Sequence, residues 1–267
     1  MKMKLPLQTK TKRRLAAVAG VLLVLLLLLC VDFFTGDPLS RAIAQRQALR
    51  WAEAQYPGQE FTVEYTLHGG RFSYDVQVQS QQSEDTLFYV TTDWWIFCHG
   101  DGLDGYENLV ESGWNTCLRM GQEAAQQVED VLLREAPELK LAGTYSANGI
   151  DRSVAVDLAW TPEGYQGSDG HPRSWPYREA FPLDAPFDKA MLTTVPARLC
   201  LEILWPDVPD GEDLETVLHT LKQVMEQNGL PMAYYDVTLV PETGYETREE
   251  MIALLAHAAY IPAEEIP

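Results

Sequence analysis

Residues 61–78, FTVEYTLHGGRFSYDVQV, decide the fold of this chain. On both sides of Gly69-Gly70 apolar and polar residues alternate with a period of two, as in strands with one buried face. Two glycines between such strands favour a tight turn. The stretch therefore predicts a β-hairpin whose apolar positions are Phe61, Val63, Tyr65, Leu67, Phe72, Tyr74, Val76 and Val78.

A helix is predicted before this hairpin and a third strand after it. Asp37-Pro38 is a helix start, with aspartate as the N-cap and proline in the first turn, and Pro57-Gly58 ends the helix. The third strand covers residues 86–97. A second helix is predicted over residues 115–135, and we expect it to pack on the meander. Ala136-Pro137 ends it and marks a domain boundary.

The second half alternates strands and helices. The predicted elements are strands over 140–145, 153–160, 197–204 and 234–240, a helix over 212–227, and a last helix from the capping box at Thr247 to about Tyr260. The fold class is therefore α+β. We expect a first module over 37–136, a helix with an antiparallel sheet, and a second over 137–267, with helices on one face of a sheet.

The N-terminus predicts a membrane helix. Six cations within residues 1–14 precede Leu15–Val31, an uncharged run of 17 residues that spans roughly 26 Å as a helix. We expect a signal anchor over residues 15–34, a basic cytoplasmic segment before it and the bulk of the chain outside the cell. Two alternatives stay open: cleavage by signal peptidase, and lipidation at Cys30, where Leu29 departs from the small residue that lipidation requires.

The rest of the chain is strongly acidic. All 39 Asp and Glu and 14 of the 20 Lys and Arg lie beyond residue 14, which gives that part a formal net charge of −25. Such a surface disfavours nucleic acid and anionic lipid headgroups as partners. It serves solubility, or the capture of cations or basic peptides.

Three cysteines follow the anchor, Cys98, Cys117 and Cys200. The odd number is not that of a disulfide scaffold. In an oxidising exterior Cys98 and Cys117 could pair, and the alternative is three free buried thiols. Cys200 lies in an apolar strand pattern, which predicts a buried thiol.

No motif predicts catalysis, a metal or a cofactor. The acidic loop over residues 99–108 does not fit the EF-hand spacing, and the five histidines form no zinc-binding pair. Ser168, Asp169 and His171 lack the strand-turn-helix frame of a hydrolase nucleophile. The candidate contact residues are Gly69 and Gly70 at the hairpin tip, together with the aromatic pair Trp94 and Trp95. This pair could form a platform for sugar with Trp175 and Tyr177.

Residues 51–90, WAEAQYPGQEFTVEYTLHGGRFSYDVQVQSQQSEDTLFYV, carry a resemblance to a known family. This stretch resembles the N-terminal part of the YfjL-like family of uncharacterised cell-envelope proteins of Gram-positive bacteria. The resemblance covers roughly residues 40–136 and extends more loosely beyond. It implies a membrane-anchored protein or a lipoprotein and brings no catalytic residues. The order of helix and hairpin is also similar to the cystatin-like or PepSY-like fold, a small inhibitor or regulatory module.

These features together favour a non-enzymatic, extracytoplasmic binding or interaction protein of the cell envelope. The membrane is the expected partner of the N-terminal helix, and an envelope protein or a basic peptide is the expected partner of the acidic part. An envelope hydrolase assembled from distant residues and an inhibitor-like module acting on a protease remain the alternatives. Molecular partner and oligomeric state stay open.

Overall fold

The computed structural model describes residues 7–70, 73–93, 97–99, 105–142, 145–147, 150–160 and 177–267. The chain divides into two compact units, Met1–Val110 and Glu111–Pro267. Both combine helices with a sheet, so the predicted α+β class is confirmed.

The first helix, α1, covers Leu7–Thr35. Its segment Lys12–Thr35 is long and apolar enough to cross a membrane, and it is the one such helix in the part of the chain that the structure describes. The apolar side chains from Leu15 to Val31 are exposed. The helix is consistent with a signal anchor or with a signal sequence.

A helix and an antiparallel sheet follow α1 in the first unit. The helix is α2, Pro38–Gln55, and the strands, in both chain and sheet order, are β1 (Phe61–Gly70), β2 (Ser73–Ser80), β3 (Leu87–Asp93) and β4 (Phe97–His99). The predicted start of α2 is confirmed: Asp37 is the N-cap, and its side chain accepts from the backbone N–H groups of Leu39 and Ser40.

Helix α2 packs on this sheet through a row of small side chains spaced four residues apart. The buried residues of the row are Ser40, Ala44, Ala48 and Ala52. Small side chains at this spacing lie on one face of a helix and let its backbone approach the sheet closely. The sheet supplies the large apolar groups of this core, among them Tyr74, Val76 and Phe88.

A β-bulge changes the predicted alternation of β1. Val63 pairs with Val78 and Tyr65 with Gln77, so Glu64 is the extra residue. One extra residue reverses the facing of every side chain beyond it. Thr66 is therefore buried, and Tyr65 and Leu67, predicted as apolar core positions, are 55% and 50% exposed.

The second unit contains helices and a mixed sheet. Its helices are α3 (Trp114–Glu135), α4 (Tyr177–Ala180), α5 (Gly211–Gln227) and α6 (Arg248–Ala253). Its strands are β5 (Lys140–Leu141), β6 (Tyr145–Ala147), β7 (Ile150–Arg152), β8 (Val154–Leu158), β9 (Ala197–Trp205), β10 (Tyr234–Pro241) and β11 (Ala256–Pro262).

The five-stranded sheet runs β11-β10-β9, and both β8 and β5 pair with the other side of β9. Strands β9 and β10 are parallel and are connected through α5, whereas the other pairs are antiparallel. Helix α3 packs on β8, and α5 packs on β10, β11 and α3. Helices α3 and α5 thus lie on one face of the sheet, as predicted.

The contacts of α3 differ from the prediction. The sequence placed this helix in the first module, with a boundary at residue 136, whereas α3 packs on β8 and the compact units divide after Val110. Gly121 explains the close packing, because a β-carbon there would lie 2.6 Å from the carbonyl oxygen of Val156. The amphipathic pattern of α3 predicts a buried face and does not name the sheet that buries it.

The last predicted helix is wrong in length. Thr247 caps α6 with a capping box, as predicted, but α6 ends at Ala253. Residues 256–262 pair with β10 as β11 instead. Pairing with a neighbouring strand has overridden the helix propensity of the alanines in this segment.

Candidate functional site

The strongest candidate site lies on the sheet face opposite α3 and α5, which we call the open face. Side chains of successive strand residues point to opposite faces, so the open face carries the residues between the buried ones. In β9 these are Arg198, Cys200 and Glu202, and their neighbours include Asp157 on β8 and Asp236 on β10. Three carboxylates and one guanidinium therefore lie on one face of a mixed sheet, with Glu202 farther along β9 than the other three.

Arg198 lies at the centre of a group that we call the Arg198 cluster. The cluster consists of Arg198, Asp157, Asp236 and His257, with the rings of Trp160, Tyr234 and Tyr260. The strand register creates it, because Asp157 pairs with Arg198 across β8 and β9, and Asp236 pairs with Cys200 across β10 and β9.

The Arg198 guanidinium makes ion pairs with both aspartates. Its Nε donates to Asp157 Oδ2 at 3.0 Å, its Nη2 donates to the same oxygen, and its Nη1 lies 3.5 Å from Asp236 Oδ2. The side chain is only 16% exposed. Burial opposes the charged form, but the hydrogen bond to Asp157 and the nearby acidic groups outweigh it and raise the pKa of Arg198. Arg198 is therefore a fixed cation.

Two aromatic rings flank the same guanidinium. Its carbon lies 4.8 Å from the ring centre of Trp160 and 5.3 Å from that of Tyr260, both within cation–π range. The Trp160 and Tyr260 rings are stacked with centres 5.1 Å apart, and Tyr234 meets Trp160 edge-on at 4.9 Å. The rings and the ion pairs together hold Arg198 in one orientation.

The backbone is strained at Tyr260 and directly before Trp160. Tyr260 has φ = +59° and Ala159, the residue before Trp160, has φ = +56°. Among the described residues, Asp184 is the only other non-glycine residue with positive φ. Left-handed conformations cost roughly 1 kcal/mol or more for residues with a β-carbon and concentrate at functional sites.

A β-bulge explains the position of Tyr260. Tyr235 pairs with Ile261 and Val237 with Ala258, so Ala259 and Tyr260 lie opposite the single residue Asp236. Bulges re-aim a side chain at the edge of a sheet. Here the bulge brings the Tyr260 ring onto the cluster.

The outer groups of the cluster remain open to solvent. His257 is 49% exposed, and its Nε2 lies 2.9 Å from Asp236 Oδ1. Asp157 is 34% exposed, and its described contacts all use Oδ2. Asp157 Oδ1 has no partner among the described residues and can accept a hydrogen bond from a ligand.

Cys200 lies beside these groups but is not suited to nucleophilic chemistry. Its Sγ lies 3.9 Å from Asp157 Oδ2, and the residue is 7% exposed. Burial, together with the nearby Asp157 carboxylate, raises the pKa of the Cys200 thiol. Reactive cysteines need a lowered pKa. The predicted buried thiol at Cys200 is confirmed.

The candidate contact residues from the sequence are elsewhere or outside the described residues. Gly69 is exposed near the end of β1, and Gly70, the last residue of β1, pairs with Ser73, so both glycines belong to the strand. Gly70 has φ = +79°, which favours glycine. Trp94 and Trp95 lie outside the described residues, and their role as an aromatic platform stays a prediction.

The pairing of Cys98 with Cys117 is not formed in this structure, in which Cys117 is a free thiol, and for an oxidising exterior it stays a prediction. Cys98 lies in β4, but its side chain is outside the described part of the chain. Cys117 is a buried free thiol in α3, and its Sγ lies 3.6 Å from the carbonyl oxygen of Leu158. Burial raises its pKa.

Metal binding finds no support in the described ranges, which hold no group of three His, Cys, Asp or Glu side chains suited to a metal ion. The predicted cluster at Ser168, Asp169 and His171 lies outside these ranges.

Sequence reasoning missed the Arg198 cluster because its members come from four strands. The signal in the sequence is a charged residue at an outward position within each of three largely apolar strands, namely Asp157, Arg198 and Asp236. Only the strand register shows that these three positions are neighbours.

Comparison with known proteins adds information on the N-terminal part. Residues 11–96 match the family model described as the YfjL-like N-terminal domain. No curated protein matches the chain. A crystal structure of a DUF5037 family protein from Ruminococcus gnavus ATCC 29149 is similar with 10% identity over 78% of this chain and 77% of that chain, at a TM-score of 0.20.

Proposed function

We propose that this chain is a non-enzymatic, membrane-anchored binding protein of the cell envelope. Its second unit binds a basic segment of an envelope protein, or a basic peptide, on the open face. The arrangement of carboxylates around the fixed Arg198 is the observation that carries this proposal.

The membrane part of the proposal is supported by α1 and its flanking charges. Six cations precede the apolar segment and none lies between Leu15 and Asp37. Positive charge keeps the flanking segment in the cytoplasm, which sends the acidic part of the chain outside. The lack of a small residue before Cys30 favours a retained anchor over a lipid-modified cysteine.

The charge of the open face supports a cationic ligand. Asp157, Glu202 and Asp236 give three negative charges, and Arg198 gives one positive charge. Arg198 neutralises part of this charge and fixes the two aspartates to which it is bound. A Lys or Arg of the ligand would bind the free Oδ1 of Asp157, and a second basic residue would bind the Glu202 carboxylate, which lies farther along β9. The exposed ring of Tyr260 offers a cation–π contact.

Binding to a labelled basic peptide tests this function. The full chain in detergent micelles is titrated against a fluorescent peptide of alternating Lys and Val, and binding is followed by fluorescence anisotropy. Glu202→Gln should weaken binding about two- to fivefold, because a partly exposed ion pair contributes roughly 0.5–1 kcal/mol. Glu202 makes no ion pair among the described residues, so its replacement should leave folding intact.

Glu215→Gln is the matched control. Glu215 is exposed on α5, which packs on the opposite face of the sheet, and the substitution removes the same charge. Equal weakening by both variants would mean that net charge, not the open face, attracts the peptide. Tight binding of a peptide of alternating Glu and Val would contradict the proposal outright.

Membrane fractionation tests the anchor separately. We expect the chain to stay with membranes after alkaline carbonate washing and to be cut by protease added outside intact cells. Recovery in the soluble fraction would overturn the anchored state.

A further inference from the structure

A pocket of about 310 Å³ lies in the first unit, where α1 passes into α2. Its wall comes from four elements, and the residues that matter here are Thr35, Gly36, Arg41, Gln45, His68 and Tyr74. The open face of the second unit plays no part in it. The end of the apolar helix is itself part of the wall.

Gly36 makes this arrangement possible. It has φ = +73°, and a β-carbon there would lie 2.9 Å from the hydroxyl oxygen of Tyr74 and 3.1 Å from the His68 ring. Both the backbone conformation and the close approach therefore require glycine. The Tyr74 hydroxyl accepts from the N–H of Asp37 at 3.3 Å, which ties the start of α2 to β2.

Two side chains of the pocket, Arg41 and His68, have nitrogen atoms without a hydrogen-bond partner among the described residues. Arg41 is exposed and donates from Nη2 to the carbonyl oxygen of Thr66 at 3.1 Å, and its other N–H groups have no partner among the described residues. His68 Nε2 is buried and has no hydrogen-bond partner in the described part of the chain. Buried polar atoms are normally paired, so an unpaired one calls for an explanation. An acceptor oxygen in the pocket would satisfy both side chains.

The pocket wall also contains the carboxylate of Asp37, and both of its oxygens already accept hydrogen bonds. Asp37 Oδ1 accepts from Leu39 N and Ser40 N at the start of α2, and Oδ2 accepts from the Ser40 hydroxyl at 2.7 Å. The positive end of the helix dipole further offsets its charge. Arg41 and His68 are then the groups that face a ligand.

Local charge on α2 also differs from that of the whole chain. The helix carries Arg41, Arg46 and Arg50, all exposed, and its only acid is Glu53. The net charge of −25 disfavours anionic lipid for the acidic part as a whole, whereas the surface of α2 is locally positive.

We propose that this pocket binds the phosphate group of a membrane phospholipid. The inference rests on the anchored state in the proposed function. Headgroups occupy a layer of roughly 6 Å on each side of the hydrocarbon core, and the pocket wall begins at the last residue of α1. Phe34, Leu39 and Leu67 are exposed apolar residues beside the pocket residues in sequence, and they suit the boundary with the acyl chains. Arg41 and His68 then donate to the phosphate oxygens.

Native mass spectrometry of the full chain tests the proposal. The chain is extracted in detergent, freed of lipid, and titrated with short-chain phosphatidylglycerol, short-chain phosphatidylcholine or inorganic phosphate. Since both lipids carry the phosphodiester, we expect one adduct with each. Arg41→Gln should reduce adduct formation about tenfold, as expected for a lost charge-assisted hydrogen bond.

Arg46→Gln is the control, since Arg46 is an exposed arginine of the same helix and does not line the pocket. His68→Gln serves as a second variant and should also weaken the adduct. Equal loss in the Arg41 and Arg46 variants, or no adduct with either lipid, would overturn the proposal. Displacement of the lipid by an equal concentration of inorganic phosphate would assign the pocket to free phosphate and overturn the lipid as ligand. Membrane retention without an adduct refutes this inference alone, whereas a soluble chain refutes the anchored state.

Discussion

Replacing Arg198 by methionine should destabilise the second unit strongly. Arg198→Met keeps most of the side-chain length but removes the charge that Asp157 and Asp236 share. It also removes the cation–π contacts with Trp160 and Tyr260. The two aspartates would be left on neighbouring positions of the sheet without a cation.

The expected loss is about 2–4 kcal/mol of unfolding free energy. Hydrogen bonds to charged groups contribute roughly 1.5–3 kcal/mol, and each cation–π contact adds about 0.5–1 kcal/mol. The value falls below that for a fully buried ion pair, because Asp157 and Asp236 are 34% and 21% exposed and water can solvate them in part.

Urea unfolding of the full chain in detergent, followed by tryptophan fluorescence, measures this loss. Arg134→Met is the control, since Arg134 is 58% exposed and its pair with Glu135 should contribute less than about 0.5 kcal/mol. The double variant Arg198→Met/Asp157→Asn should regain about 1 kcal/mol, because one unpaired charge is gone. A loss below about 1 kcal/mol for Arg198→Met, or one equal to that of Arg134→Met, would refute the proposed role of Arg198.

Two further predictions concern the interior of the second unit. Gly121→Ala should lower the free energy of unfolding in urea by about 2 kcal/mol, because the new β-carbon would overlap a backbone oxygen of β8. Gly211→Ala is the control and should change stability by less than about 0.5 kcal/mol, because the space around Gly211 is open. Equal effects of the two substitutions would contradict the close packing of α3. Burial raises the pKa of Cys117 and Cys200 above the ordinary value of 9.0, so the folded state keeps both protons while the unfolded state loses them above pH 9. The free energy of unfolding should therefore fall as the pH rises above 9, by up to about 1.4 kcal/mol per pH unit for each thiol. The double variant Cys117→Ala/Cys200→Ala should show a smaller dependence of stability on pH. An unchanged slope in that variant would refute the contribution of the thiols.

Local signals in the sequence predicted the elements well. Asp37 and Thr247 each cap a helix, as their positions indicated, and the helix predicted over residues 115–135 is observed as Trp114–Glu135. Capping and amphipathic periodicity depend on residues within a few turns of each other. Such features can be derived without knowledge of the tertiary structure.

Features that depend on distant partners were missed. The bulge at Glu64 exposes Tyr65 and Leu67, although their alternation with polar neighbours predicted burial. Residues 256–262 form an edge strand because β10 is available to pair with them. The Arg198 cluster requires the registers of three strand pairs at once, and no local pattern contains that information.

The short connection between α1 and α2 has a mechanical consequence. Only Gly36 and Asp37 separate the two helices, and α1 also contacts β1. A transmembrane helix changes its tilt when the thickness of the hydrocarbon layer changes. In the anchored state proposed above, so short a connection would pass a change in tilt of α1 to α2 and the first sheet, and the orientation of this unit would then depend on the thickness of the bilayer.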